Sequence, residues 1–301
     1  MFYQGAMAGT PWWTPYRGYL HLAPRAIASL ETLTPEPALV GSILALLVTV
    51  SVAAFMASDR LAAVAPERAR WLAAVVFLAL PASYELLGSP TYVQWYLAVY
   101  LVLGIVAEPA RGRWAYIDGI TALVAGVTSP IAIFVVPFYW RQPTHRRTGG
   151  ILSIAALAQV LTLIIAPHDA ALRVPARLPE ILGLRRCTEP LVGANLLPAA
   201  GLVVTVLLIP LVAAALRELP WEVLAAGGLV LAASMATSLE TSAELLNGYG
   251  AQRYFFVGGS LVAIGVVLGA FRRSVAGMAA PVLAVGLLAD YRLAPHPGIG
   301  A

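Results

Sequence analysis

The sequence predicts an all-α, polytopic integral membrane protein with about eight to ten transmembrane or half-membrane helices and an amphipathic N-terminal surface helix. Of its 301 residues, 60% are hydrophobic and only 11% are charged, and the mean hydropathy is +0.81. A soluble domain carries about 25% charged residues. A soluble single domain is therefore excluded.

The chain is treated as a single transmembrane domain over 1–301. Residues 1–37 form an outer-face loop and the interfacial helix, 38–289 form the helical membrane bundle, and 290–301 form a tail. A stretch of about 20 apolar residues is long enough to cross the hydrocarbon of a bilayer. By this criterion the candidate spans are 38–57, 71–87, 92–107, 114–140, 151–166, 199–216, 223–238, 254–271 and 275–289.

Arginine placement predicts the topology, because connections that are rich in arginine stay in the cytoplasm. All nineteen basic residues are arginines, and eleven of them lie in the connections 58–70, 108–113, 141–150, 217–222 and 272–274. These connections are all cytoplasmic only if segment 114–140 enters and leaves on the same side. Proline interrupts a helix, so a hairpin of two half-helices that meet at Ser129-Pro130 is favoured over a single crossing.

The remaining connections are then on the outer side, including the N-terminal stretch, the turn at Gly88 to Thr91, and the segments 167–198 and 239–253. Residues 1–37 lack the charged and apolar regions of a signal peptide. Because an exported N-terminus without its own span is uncommon, we expect a first helix to precede this sequence.

The N-terminal stretch predicts a helix that lies on the membrane surface. Tyr19, Leu22, Ala26 and Leu30 recur at helical spacing, and the basic groups on another face are expected to point towards water. These groups either bind an anionic, lipid-linked substrate or hold the helix to phospholipid headgroups. They are Arg17, His21 and Arg25.

Two further positions combine charge with an apolar setting near the outer ends of spans. Glu85 is a candidate general base or proton relay, because an apolar environment raises the pKa of a carboxyl group, or else a structural carboxylate. Arg253 follows Gly248 and Gly250 at the start of a span, which suits bidentate phosphate recognition. It could equally reach phospholipid headgroups or pair with Glu244.

Several chemistries are absent from the sequence. There is no GxxxxGK[ST] phosphate loop, no HExxH and no GxSxG motif. The four histidines are dispersed and there is one cysteine, Cys187, so no metal site, disulfide or other cofactor is indicated, although a divalent metal is compatible with the sequence. The basic clusters are short and lie between apolar runs, so nucleic-acid binding is not expected.

Four elements together resemble uncharacterised polytopic proteins of bacterial cell-surface polysaccharide loci, and through them the GT-C glycosyltransferases. These elements are Pro15 to Arg25, Gln94-Trp95-Tyr96, Thr128-Ser129-Pro130 and Gln252-Arg253-Tyr254-Phe255-Phe256. The resemblance implies that a sugar passes from a polyprenyl-phosphate donor to a glycan or lipid acceptor on the outer side of the cytoplasmic membrane. It also implies that a carboxylate in the first outer loop is the base and that cations hold the lipid phosphate.

This sequence departs from that pattern, because the first outer loop has no carboxylate before Glu31. We expect Glu31 or Glu85 to replace it, unless it lies in a preceding segment or the protein is not a competent enzyme. The expected lipid-phosphate ligands are Arg17, His21, Arg25, Arg253 and Tyr254. The alternative functions are a transporter or flippase of a lipid-linked saccharide, and a non-catalytic subunit that works with a membrane-protein partner.

Overall fold

A computed structural model describes residues 2–16, 18–80, 86–166, 181, 191, 206–236 and 252–293. Most of these residues are helical, and no β-strand occurs among them, as the sequence predicts. The helices are α1 (Phe2–Met7), α2 (Leu22–Glu31), α3 (Pro37–Ala57), α4 (Glu67–Ala79), α5 (Val93–Gly104), α6 (Arg113–Thr128), α7 (Ile131–Arg141), α8 (Arg146–Ile165), α9 (Val206–Arg217), α10 (Trp221–Ala236), α11 (Gln252–Arg272) and α12 (Ala280–Leu293). Short 3₁₀ turns lie at Asp59–Leu61, Pro90–Tyr92, Pro143–His145 and Val275–Ala279.

Three helical segments are long and apolar enough to cross a membrane, which indicates membrane association. They are Pro37–Ala57, Pro143–Ile165 and Arg253–Arg272. The other predicted spans that the structure describes are shorter. For example, α5 has 12 residues, about 18 Å of helix, and all of them except Gln94 are buried. Hydropathy alone cannot distinguish such a core helix from a membrane span, because both are uniformly apolar.

The core of the bundle forms where α4, α5 and α11 meet. Phe77, Tyr96 and Phe256 pack edge-on or tilted against one another, with ring centroids 4.8 to 5.9 Å apart. Aromatic pairs favour these arrangements over face-to-face stacking. The three rings fix α5 between its neighbours, so the first residues of α5 and α11 lie at the same end of the bundle.

The five arginine-rich connections meet at the other end, which we call the arginine end. Arg60 donates through Nε to the Glu108 carbonyl at 2.7 Å, which joins 58–70 to 108–113. Arg272 donates to the Val64 carbonyl and to the Glu218 side chain, both at 2.9 Å. The guanidinium of Arg141 lies 4.6 Å from the centre of the Trp221 ring. The five connections therefore lie together at one end of the bundle, and the membrane side that they face stays a prediction.

The segment 114–140 folds back on itself at Ser129-Pro130. At the start of α6 and α8, Arg147 lies 5.1 Å from the Tyr116 ring. Further along both helices, Gln159 donates to the Val127 carbonyl at 2.7 Å. α6 and α8 therefore run parallel. α7 runs antiparallel to α8, because the two are joined by the short connection 142–145. α6 and α7 are therefore antiparallel, and the predicted hairpin is confirmed.

Candidate anion-binding site at the α2 end

The opposite end of the bundle contains α2, the first residues of α5 and α11, and the tip of the α6–α7 hairpin; we call it the α2 end. His21 precedes α2 and Arg25 lies in its first turn, and their exposed fractions are only 7% and 8%. Ala26 and Leu30 are exposed instead, Leu30 by 47%. For His21 and Arg25, the prediction that the basic groups point towards water is wrong, because residue spacing separates two faces of a helix without showing which one is covered.

Arg25 is a buried cation, and no opposite charge pairs with it in the part of the chain that the structure describes. The Phe2 ring covers it, 5.4 Å from the guanidinium carbon. Its Nε has no hydrogen-bond partner, and no carboxylate within the described ranges forms an ion pair with it. Burial lowers the pKa of Arg25. A buried charge without compensation is costly, so this position favours an anion that the described residues do not supply.

His21 lies in an aromatic pocket beside Arg25. The rings of Phe2, Tyr16 and Tyr19 lie 5.3 to 5.8 Å from the imidazole. Burial lowers the pKa of His21 to about 4, although a hydrogen bond with the Gln94 side chain opposes the shift. The imidazole is therefore neutral at pH 7 and can donate from only one ring nitrogen.

The depressed pKa of His21 predicts a loss of stability in acid. Between pH 6.5 and about 4 the unfolded chain binds a proton at His21 and the folded protein does not, so stability falls as the pH is lowered through this window. We expect a loss of up to about 3 kcal/mol. Thermal unfolding from pH 7.5 to 4 measures it. The His21→Phe variant keeps the aromatic packing and should lack this component; identical pH profiles for the two proteins would contradict the assignment.

Two hydrogen bonds hold the backbone that carries His21 and Arg25 onto the hairpin. The Leu20 N–H donates to Gln159 Oε1 at 3.1 Å, and the Ala23 N–H donates to Thr128 Oγ1 at 3.0 Å. Gln159 and Thr128 are completely buried. Neither residue is among the site residues predicted from the sequence. The sequence contained a signal for Gln159, because burying an amide inside a long apolar run is costly unless the amide is hydrogen-bonded.

Arg253 reaches the same end of the bundle from α11. Its guanidinium lies 4.7 Å from the Tyr254 ring and 5.5 Å from the Tyr92 ring. Tyr254 in turn contacts Trp95 edge-on, with ring centroids 6.0 Å apart. Tyr92 belongs to the 3₁₀ turn that packs against α2. The structure thus brings the N-terminal, Gln94-Trp95 and Arg253-Tyr254 elements into one region.

Three buried nitrogen atoms in this region have no hydrogen-bond partner among the residues that the structure describes. They are Arg25 Nε, His21 Nδ1 and Trp95 Nε1. Buried polar atoms are nearly always paired in folded proteins, so unpaired ones point to a missing ligand or solvent molecule. The arginine and tryptophan atoms are donors only, and the ligand that they favour is an acceptor or an anion.

Glu31 lies at the other end of α2 from Arg25, roughly 9 Å along the helix axis. Its carboxylate packs against Gly41 of α3 and close to Pro90, and it is 7% exposed. A side chain at position 41 would overlap Glu31 Oε1, so the carboxylate would have to move to admit one. Burial raises the pKa of Glu31, and a raised pKa is the direction that favours a general base.

Arg17 and Glu85 lie outside the described residues, as do most of 167–198 and 239–251. Of the seven predicted site residues, the structure therefore places His21, Arg25, Glu31, Arg253 and Tyr254. Within the described ranges no group of three histidine, cysteine, aspartate or glutamate residues is arranged to hold a metal ion.

Comparison with known proteins gives no family assignment. No protein-family model matches the chain, and neither a curated protein nor a solved structure matches it. The geometry of the α2 end is therefore the basis for a functional hypothesis.

Proposed function

We propose that this chain is a multi-pass glycosyltransferase of the cytoplasmic membrane that uses a polyprenyl-phosphate-linked sugar as donor. The observation that carries the proposal is the buried Arg25, which has no counter-charge among the described residues and lies beside the neutral His21. A lipid phosphate supplies the missing anion. Arg253, on the neighbouring α11, provides a second cation in the same region.

The proposed orientation follows from the arginine end. Connections rich in arginine stay in the cytoplasm, which puts the α2 end on the outer side of the membrane. Three helices long enough to cross a bilayer support a membrane location. The exposed Leu30 and the buried Arg25 also suit a helix whose outward face contacts lipid and whose inward face lines a ligand site.

The proposed reaction is a displacement at the anomeric carbon of the donor sugar. A carboxylate, Glu31 or Glu85, removes the proton from the acceptor hydroxyl, and the acceptor oxygen bonds to the anomeric carbon. The bond from that carbon to the phosphate oxygen breaks, and its electrons remain on the departing lipid phosphate. Arg25 and Arg253 stabilise this charge as it develops. In this scheme the length of α2 between Arg25 and Glu31 leaves room for the sugar.

The test combines lipid analysis with activity. The protein is isolated from its native membranes, and native mass spectrometry identifies the lipids that it retains. We expect the wild type to retain a polyprenyl phosphate or its glycosylated form, and to transfer a labelled sugar from that lipid to an acceptor extract. Arg253→Ala should lose both properties.

The matched control is Arg68→Ala, because Arg68 is an exposed arginine of α4 near the arginine end. It should behave as wild type. Only bulk phospholipid in the wild type would refute the lipid-phosphate site, and retention of the lipid with unchanged turnover in Arg253→Ala would refute the role of Arg253.

A flippase for the same lipid is the second candidate, and the α6–α7 hairpin favours it, since discontinuous helices line many transport sites. Wild-type protein in vesicles that binds the lipid and moves it between leaflets, without releasing or transferring sugar, would select this function. A stoichiometric protein partner without any bound lipid phosphate would instead indicate a non-catalytic subunit.

A further inference from the structure

A second basic surface lies at the arginine end, where α6 and α8 begin side by side. Arg113, the first residue of α6, and Tyr116 are three positions apart and share a face of that helix. Arg147, in the first turn of α8, lies over the Tyr116 ring at 5.1 Å. Arg147 thus covers the Tyr116 ring, Arg113 begins the helix that carries Tyr116 one turn earlier, and all three residues are exposed. We call this group the Tyr116 cluster.

Within the described residues, the arginines of the cluster contact aromatic rings and form no ion pair with an acidic side chain. Elsewhere at this end, ion pairs join Arg60 to Asp118, Arg70 to Asp59 and Arg272 to Glu218. No carboxylate in the part of the chain that the structure describes forms an ion pair with Arg113 or Arg147. Their contacts are aromatic instead, with Trp114 at 5.5 Å and Tyr116 at 5.1 Å. Their positive charge is therefore free to meet an external anion.

The surface next to the cluster is apolar. α8 belongs to one of the three segments that can cross a membrane, and its outward residues Ile154 and Leu157 are largely exposed. The adjoining face of α6 exposes Ile117 and Ile120. In a bilayer these side chains contact acyl chains, which puts Arg113 and Arg147 at the depth where the hydrocarbon gives way to phosphate groups.

We propose that the Tyr116 cluster binds the headgroup of an anionic phospholipid. The phosphate lies between the guanidinium groups of Arg113 and Arg147, and the acyl chains follow the apolar surface of Ile120 and Ile154 along the groove between α6 and α8. The tyrosine ring holds Arg147 in place, so the site loses less side-chain entropy on binding than two unsupported arginines would. A soluble phosphate would match the charge of the arginines but would leave the apolar groove uncovered. A phospholipid matches the charge and also covers the groove.

This site lies at the opposite end from the proposed sugar-lipid site, and it does not depend on that function. It would also stabilise the start of the hairpin, since Arg113 begins α6. An anionic lipid at this position holds α6 against α8 from outside, where the described contacts between the helices involve small residues such as Gly126 and Ala155.

The test compares lipid selectivity in two double variants. Purified protein is reconstituted in nanodiscs of equal parts phosphatidylglycerol and phosphatidylcholine, released, and stripped stepwise in the mass spectrometer. We expect wild type to retain phosphatidylglycerol preferentially. Arg113→Gln with Arg147→Gln should reduce that preference by at least about tenfold.

The matched control is Arg68→Gln with Arg217→Gln, which removes the same charge from exposed arginines that lie over no ring of the described residues. It should keep the selectivity within about twofold of wild type. An equal loss in both double variants would overturn the proposal in favour of diffuse attraction, and so would equal retention of the two phospholipids by wild type. A melting temperature near that of wild type in the absence of added lipid confirms that each variant is folded.

Discussion

Replacing Arg25 by methionine should abolish binding of the sugar-lipid phosphate and at the same time stabilise the lipid-free protein. Arg25 is buried under Phe2, and no carboxylate of the described residues balances its charge. Methionine keeps much of the aliphatic length and removes the buried charge, so we expect a gain of about 1 to 3 kcal/mol in unfolding free energy. Lipid-phosphate affinity should fall on the order of 100-fold, since a charge-assisted hydrogen bond is lost.

Arg70 provides the matched control for this substitution. Its side chain is buried to a similar degree, with an exposed fraction of 5%, but it has hydrogen-bond and ion-pair partners. It donates to the carbonyls of Ala57 and Ala65 and pairs with Asp59. Arg70→Met should therefore destabilise the protein, by about 2 kcal/mol or more, and should leave lipid-phosphate affinity unchanged.

Thermal unfolding in a fixed detergent and lipid titration measure both effects. Opposite signs of the stability change in the two variants are the expected result. A loss of stability in Arg25→Met as large as in Arg70→Met would mean that Arg25 is a structural residue, and the lipid-phosphate site would then lose its main support. Arg25→Lys, which keeps the charge without the planar fork, should show intermediate affinity.

Replacing Asp118 by asparagine should cost about 3 kcal/mol of unfolding free energy. Asp118 is 12% exposed and accepts two hydrogen bonds from Arg60, at 2.6 and 3.1 Å, and one from the Tyr100 hydroxyl at 2.6 Å. The shape of the side chain is almost unchanged in asparagine, but the charge that balances Arg60 is lost. The three residues tie α6 to α5 and to the 58–70 connection, so the start of the hairpin should loosen.

Asp59→Asn is the control, because Asp59 also pairs with an arginine but is 97% exposed. We expect it to cost less than Asp118→Asn, because its carboxylate is solvated and Arg70 keeps the carbonyls of Ala57 and Ala65 as acceptors. A double-mutant cycle between Asp118→Asn and Tyr100→Phe should give a coupling energy of about 1 kcal/mol or more. Equal, small effects of the two aspartate substitutions would contradict a structural role for the Asp118 network.

The arrangement of charges was predictable because it follows from one physical cost. Moving an arginine through hydrocarbon is unfavourable, so the positions of Arg60, Arg113, Arg147 and Arg272 along the chain already determine which connections lie together. The fold-back at Ser129-Pro130 follows from the same constraint. In the structure Arg147 and Tyr116 are in contact, as a hairpin requires and a single crossing forbids.

The orientation of α2 was not predictable in this way. Its spacing defines one face with His21 and Arg25 and another with Leu22, Ala26 and Leu30. Water would favour the basic face outwards, whereas lipid outside and a polar site inside favour the reverse. The orientation of α2 cannot be read from the sequence of the helix alone, because it depends on which other elements pack against α2.

Contacts between segments that are distant in the chain explain the other features of the candidate site that were not predicted from the sequence. Gln159 and Thr128 belong to the site only because the α6–α7 hairpin brings them beneath Leu20 and Ala23. The fit of Glu31 against Gly41 similarly depends on how α2 and α3 cross. No local pattern in the sequence specifies either approach.

The hydrogen bond between Leu20 and Gln159 also sets an order of events during biosynthesis. The two residues are 139 positions apart in the chain. At roughly 5 to 20 residues per second, the N-terminal segment must wait on the order of ten seconds before α8 is synthesised. Until then the Leu20 N–H has no native acceptor, and the segment that carries Arg25 is not held in place by Gln159. The proposed anion site would therefore form late in translation, and substitutions in α8 should impair assembly of the earliest part of the protein.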